Sequence, residues 1–440
     1  MFVPPSPGGP VHSINMEKRI LLRGARQLVT LHGPRAARRG AAMRELGVIQ
    51  DGAVLIVDGM IRDVGPSRRV ENLAAARQAI EISADGRVVM PGFVDARTSL
   101  IAGPPLLDDY ETRITGAAGS GAGASEPAPE ALIRAVRNSS RPRLELLARK
   151  ALKEFVRHGT TTLEAKSGLG LDEKTELKIL RALQAVDGRP LEIMSTFFGA
   201  AAVAPDHNGT SDDYLDWILD RVLPKIRRLK LARFAEARCG EGAFTPEQAR
   251  RYLLAAREQG FLLRLTTDEF TSSGAVRLAV ELGAASVDHL EHLSEEDCGV
   301  LADSATVATL VPGASFHRRR EVYAPARALI DGGAAVALAT GYSSDRCPSC
   351  NMSAILSLAC NQMGMTPAEA VTAATINGAH ALRCADRVGS LEYGKQADLI
   401  MLNVPDYREI PYHFGMNPVT LTMKRGDVIC PRMEFPWSRS

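Results

Sequence analysis

Eight short apolar runs recur along the middle of the chain, at residues 93–98, 160–165, 191–198, 233–238, 261–266, 286–290, 306–310 and 334–340. Most are followed by charged segments in which apolar residues return every three or four positions, as at 144–158, 173–186, 246–259 and 274–282. That spacing marks an amphipathic helix, and a short apolar run between such helices reads as a strand buried on both faces. Thr245-Pro246-Glu247-Gln248 supplies a capping residue with proline at the first helical position. Eight strand-then-helix units over about 290 residues fit an α/β fold of the (β/α)8 TIM barrel type.

The two ends read differently. Residues 17–90 and 386–430 are short strands and turns. One example is Ala53-Val54-Leu55-Ile56-Val57 followed by the Asp58-Gly59 hairpin signal. They are expected to combine into one small composite β-sandwich side domain beside a barrel of residues 91–385. Residues 1–16 are Pro-rich without an apolar stretch, so they read as a disordered leader rather than a signal peptide. Residues 116–129 are rich in Gly, Ala and Pro and follow the first barrel strand. Both a lid over the barrel mouth and a surface insertion fit that composition.

Composition excludes several functions. A net charge of +2 and 5% aromatic residues give no basic or stacking surface for nucleic acid. No run of about 20 apolar residues marks a membrane span. The seven cysteines are scattered, which points to a reducing compartment, the cytoplasm, rather than a disulfide framework.

Residues 89–100, Val-Met-Pro-Gly-Phe-Val-Asp-Ala-Arg-Thr-Ser-Leu, resemble the first barrel strand of a metal-dependent amidohydrolase. Within that superfamily several further stretches resemble imidazolonepropionase. They include Glu164-Ala165-Lys166-Ser167-Gly168-Leu169, Thr196-Phe197-Phe198-Gly199-Ala200, Thr267-Asp268-Glu269, Asp288-His289-Leu290 and Pro411-Tyr412-His413-Phe414-Gly415. The resemblance runs in order over residues 20–428. It implies hydrolysis of a cyclic C–N amide bond, that of 4-imidazolone-5-propanoate in histidine degradation, on a bound zinc or iron. It also implies a homodimer.

The same resemblance places the metal-ligand positions on Arg97, Ser99, Thr266 and Gly341. None of the four is a ligand: a guanidinium repels the ion, a hydroxyl is a poor donor, and glycine offers nothing. Family positions near the substrate are altered too, with Leu169, Ala201 and Cys239-Gly240 in place of Tyr, His and Cys-Glu. No cofactor is therefore expected. A metal lowers the pKa of its bound water from about 15.7 to about 7. A lone general base, typically worth about 10²- to 10⁴-fold, does not replace that.

What the resemblance leaves in the mouth is Glu269, His289 and Asp268 as candidate acid–base groups, with Arg97, Lys166 and Arg113 as candidate substrate contacts. Adjacent strand residues face opposite ways, so only one of Asp268 and Glu269 can face the mouth of a regular strand. Arg97 is expected either to pair internally with Asp95, Asp268 or Glu269, or to bind an anion. His289 reads equally as a working group or a satisfied relic, and Lys166 as a salt-bridge partner. Cys347-Pro348-Ser349-Cys350 has C-x-x-C spacing, open to redox chemistry or to two incidental thiols. His317-Arg318-Arg319-Arg320 is an anion site or a solvated loop, and the Arg-rich run at 35–44 reads as an exposed insertion.

Two functions compete. One is a pseudoenzyme that binds a small cyclic or anionic ligand, or a partner, without turnover. The other is a metal-independent enzyme on a small cyclic C–N substrate. It would use Glu269, His289 or Asp268 for proton transfer and Arg97 as the electrophilic or anion contact.

Overall fold

The computed structural model describes residues 17–101, 103–115 and 130–431. Residues 1–16 and 116–129, read above as a leader and as a lid or insertion, lie outside the described residues. Among the described residues sixteen strands occur in chain order. The first five are β1 (Arg19–Val29), β2 (Val48–Val57), β3 (Met60–Pro66), β4 (Ile80–Ser83) and β5 (Val88–Pro91). Eight barrel strands follow: β6 (Phe93–Asp95), β7 (Thr160–Lys166), β8 (Glu192–Ala200), β9 (Phe234–Arg238), β10 (Leu262–Thr267), β11 (Ser286–His289), β12 (Val307–Leu310) and β13 (Val336–Leu338). The last three are β14 (Leu399–Leu402), β15 (Val419–Lys424) and β16 (Asp427–Pro431).

Strands β6 to β13 form one parallel sheet in sequence order. The ring closes just past the ends of β6 and β13. There the Ser99 N–H donates to the Tyr342 carbonyl (2.7 Å) and the Gly341 N–H to the Arg97 carbonyl (3.1 Å). The structure is thus a (β/α)8 barrel, and its strands carry the mouth residues at their C-terminal ends. Helices stand where the apolar spacing places them, as at Glu173–Val186 and Ala275–Glu281. The helix Pro246–Glu258 starts with the expected box: Thr245 accepts from the Gln248 N–H, and Gln248 reaches back to the Thr245 N–H.

The remaining strands, from both ends of the chain, join in a second sheet of order β16-β15-β14-β5-β1-β2-β3, with β4 on β1. Ile56 and Ile61 near one end of that path share a core with Leu421 and Met423 near the other. The sheet therefore curls over itself, and its two layers enclose apolar side chains.

Pro91-Gly92 joins this sheet to β6. A Cβ on Gly92 would stand 2.2 Å from the Thr161 side chain on β7. The junction thus needs glycine for close approach rather than for an unusual backbone angle. The Arg-rich run at 35–44 is not an exposed insertion. Arg38 is buried and donates to the carbonyls of Pro34 and Leu31, Arg39 reaches the Ala302 carbonyl, and Arg44 pairs with Glu369. Arg39 and Arg44 tie the run to the barrel through the Ala302 carbonyl and Glu369, while Arg38 braces it locally.

Candidate functional site

Polar residues stand two apart in several buried strands: Glu164 and Lys166 on β7, Glu236 and Arg238 on β9, Arg264 and Thr266 on β10, Ser286 and Asp288 on β11. Period two puts each pair on one face, and in this barrel that face is the interior. There three cations, Arg97, Lys166 and Arg264, meet three carboxylates, Glu164, Glu236 and Asp288. Arg97 Nη1 lies 2.9 Å from Glu236 Oε1, 2.8 Å from Asp288 Oδ2 and 2.7 Å from Thr266 Oγ1. Lys166 Nζ pairs closely with Glu236 and lies 3.4 Å from Glu164 Oε1. Arg264 is fully buried and donates to both oxygens of Asp288 (3.1 and 2.9 Å) and to the Ala96 carbonyl (2.8 Å).

Burial pushes the Asp288 carboxyl up, but Arg264, Lys166 and Arg97 outweigh it and hold the group well below the usual range. Glu236 is likewise lowered: Lys166 and Arg97 overcome its burial. Glu164 goes the other way, raised by burial in spite of Lys166 and Arg264. Asp95 is raised to about 7 by burial, although it accepts from Thr340 Oγ1 (2.5 Å), the Thr340 N–H (3.1 Å) and the Arg97 N–H (3.4 Å).

Above this layer is a cavity of about 80 Å³. The four family ligand positions, Arg97, Ser99, Thr266 and Gly341, all line it, as do Lys166, Glu269 and His289. Ligand pockets typically run from about 300 to 1,000 Å³, so the mouth is largely filled. Glu269 is locked: Arg346 pairs closely with it and Arg238 lies 3.6 Å away. Burial alone would raise Glu269, yet Arg346, His289, Arg238 and Arg320 hold it far below the carboxylate range. Arg238, crowded by burial and by Arg346, is pushed down to about 10.

Other candidates fall in different places. Strand β10 ends at Thr267, and Asp268 follows in a left-handed conformation (φ 55°). The Asp268 carboxylate accepts from the Ser273 N–H (2.9 Å), Ser273 Oγ (2.8 Å) and Thr267 Oγ1 (3.0 Å), and the residue does not line the cavity. Glu269 alone of the two faces the mouth. His289 Nδ1 lies 3.1 Å from Glu291 Oε1. Of the partners expected for Arg97, Asp95 meets only its backbone N–H, and the guanidinium pairs with neither Asp268 nor Glu269. The carboxylates it meets are Glu236 and Asp288, because β9 and β11 flank β10 and point inward.

Arg113 is not in the mouth: it lines a neighbouring cavity with Tyr110 and His317. The arginine run after β12 is not simply solvated. Arg319 donates to the carbonyls of Arg113 and Ile114, and Arg320 lies 4.2 Å over the Phe270 ring. Cys347 and Cys350 are free thiols, each pushed up to about 12 by burial, the opposite of a reactive thiol.

The residues present do not fit the divalent ion of the family. The four positions supply a cation, two hydroxyls and no side chain. The Thr266 hydroxyl is already spent on Glu236 (2.7 Å). Gly341 cannot simply regain a carboxylate: its φ is 65°, and a Cβ there would meet Val311 Cγ1 at 2.2 Å. Among the described residues no three His, Cys, Asp or Glu side chains converge as metal ligands.

The amidohydrolase family model matches residues 88–429. An imidazolonepropionase of Parabacteroides distasonis is 42% identical over 411 residues, 93% of this chain and 98% of that protein. One of Geobacillus kaustophilus is 40% identical over 421 residues, 93% and 97% of the two chains. Among solved structures, a zinc complex of atrazine chlorohydrolase TrzN from Arthrobacter aurescens superimposes with a TM-score of 0.69 at 18% identity, covering 94% of this chain and 95% of that one. E. coli guanine deaminase gives 0.68 at 14% identity, covering 94% and 100%. At such identities the structural likeness speaks for the fold alone, whereas the sequence relatives span nearly the whole chain. The chain belongs to the amidohydrolase family and is an imidazolonepropionase-like member of it.

Proposed function

We propose that this chain has given up the ring hydrolysis of its relatives and acts by binding, as a pseudoenzyme of the imidazolonepropionase type. One observation carries the reading. The Arg97 guanidinium stands among Glu236, Asp288 and Thr266, so a fixed organic cation balances the interior carboxylates at the position of a metal ligand. Without the Lewis acid, neither the attacking hydroxide nor the polarised carbonyl is supplied.

The geometry weighs against the metal-independent alternative. Glu269 is held ionised by three arginines and is too weak a base for Brønsted-efficient proton transfer. Asp268 is committed to Ser273, and Arg97 to its two carboxylates. The test is turnover of 4-imidazolone-5-propanoate by purified protein, with and without added zinc or iron. The reading expects no rate above the uncatalysed one. A rate approaching typical enzyme values, about 1–10³ s⁻¹, overturns it.

Self-association is part of the proposal. Tyr412, Phe414 and Met416 are exposed large apolar residues in the family's C-terminal segment, and sedimentation of the full chain as a monomer would contradict it. Cytoplasmic residence is supported by seven free cysteines. No helix among the described residues is long and apolar enough to cross a membrane.

A further inference from the structure

Beside the barrel mouth lies a second cavity of about 430 Å³, which shares Ser343 with the first. Its walls are mostly apolar, with Leu107, Leu147 and Tyr342 among them, and three basic side chains join them: Arg113, Lys150 and His317. No carboxylate lines it among the described residues.

Arg113 lies in this wall with its guanidinium 6.0 Å from the centre of the Tyr110 ring and part of its hydrogen-bonding capacity unmet. Its side chain is only 15% exposed, and Nε and Nη1 are buried without a hydrogen-bond partner. Its one carboxylate partner among the described residues, Asp109, lies 3.5 Å from Nη2, is half exposed and does not line the cavity. A buried donor without an acceptor is costly, and a guanidinium is built to take a carboxylate in two parallel bonds.

The surrounding wall is braced. Tyr110 stacks on His317 with centroids 5.2 Å apart and planes 17° apart, and Arg319 grips the carbonyls of Arg113 (3.2 Å) and Ile114 (2.7 Å). Lys150 has no carboxylate partner among the described residues and adds a second positive charge at the rim.

We propose that this cavity binds a small monocarboxylate with an apolar body, its carboxylate on Arg113 and its body against Leu107, Leu147 and Tyr342. The site is separate from the barrel mouth and does not depend on whether the mouth retains any hydrolysis.

The probe is 3-phenylpropanoate, titrated calorimetrically into the full-length protein beside its neutral counterpart 3-phenylpropanamide. Saturable binding of the acid is expected at or below about 1 mM, with the amide weaker by about tenfold or more. Arg113→Met should weaken the acid by about the same factor and leave the amide unchanged. Leu147→Trp, which fills the apolar end, should abolish binding of both. The Trp variant and the acid-to-amide ratio on unaltered protein decide the matter if the Arg113 variant does not fold. No saturation by about 10 mM, equal affinity for acid and amide, or full affinity in either folded variant overturns the proposal.

Discussion

Arg97→Met removes one cation from the buried network and leaves Lys166 and Arg264 facing Glu164, Glu236 and Asp288. The Arg97 side chain is 11% exposed and both partner carboxylates are fully buried, so little solvent screening discounts the loss. Two charge-assisted hydrogen bonds, at about 1.5–3 kcal/mol each, bracket about 3–6 kcal/mol. Stripping one partner from a buried pair typically costs about 3–5 kcal/mol, so about 4 kcal/mol is expected at pH 8. For a chain of this length that is a fall of about 4 °C in Tm if unfolding is cooperative. The penalty also has a pH signature. Asp288 and Glu236 have lowered pKa values in the folded protein. Their contribution is therefore present above the ordinary carboxylate value near 4 and is lost only as pH falls through the lowered one. In the variant one carboxylate loses its counter-charge, its pKa rises, and it takes up a proton in mildly acidic solution. The stability gap measured by urea unfolding should therefore be smaller at pH 5 than at pH 8. A variant within about 1 kcal/mol of the parent at pH 8, or a gap that does not change with pH, would refute the reasoning.

Asp95 has a folded pKa raised to about 7, so its contribution is greatest below the unfolded value and is lost as pH rises through 7. Stability should drop by about 2–3 kcal/mol from this group between pH 5 and 8, and Asp95→Asn should flatten that slope in urea unfolding. Gly341→Asp meets Val311 and a left-handed backbone; a loss of about 1–3 kcal/mol is expected, and Val311→Ala in the same chain should cost less than the two single changes added. Cys347 and Cys350, both raised to about 12 by burial, should react with iodoacetamide at pH 7.5 far more slowly in the native protein than in urea; labelling at the unfolded rate contradicts their burial.

Much of this architecture was legible in the sequence. The apolar runs and their helical partners gave the barrel, with strand boundaries differing by up to three residues at either end. Arg97, Ser99, Thr266 and Gly341, far apart in the chain, line one cavity. The partners of Arg97 were not legible, because which strands face one another across a barrel is decided by closure. A signal was nevertheless present. Glu236, Arg264 and Asp288 are charged residues inside strands of five, six and four residues that are otherwise buried. A charge at such a place must face a partner across the interior. Arg346 had no such signal: it sits in a loop after β13 and meets Glu269 only through the fold. Arg113, a candidate substrate contact in the resemblance, lies on the helix Leu107–Thr115, which carries it to the next cavity instead.

The most direct test is the metal content of purified protein, measured after dialysis and again after incubation with zinc or iron. With Arg97 among the interior carboxylates and no imidazole at the ligand positions, both preparations should carry no metal above background. About one tightly held ion per chain would contradict the replacement of the metal by Arg97 and restore the case for a working hydrolase.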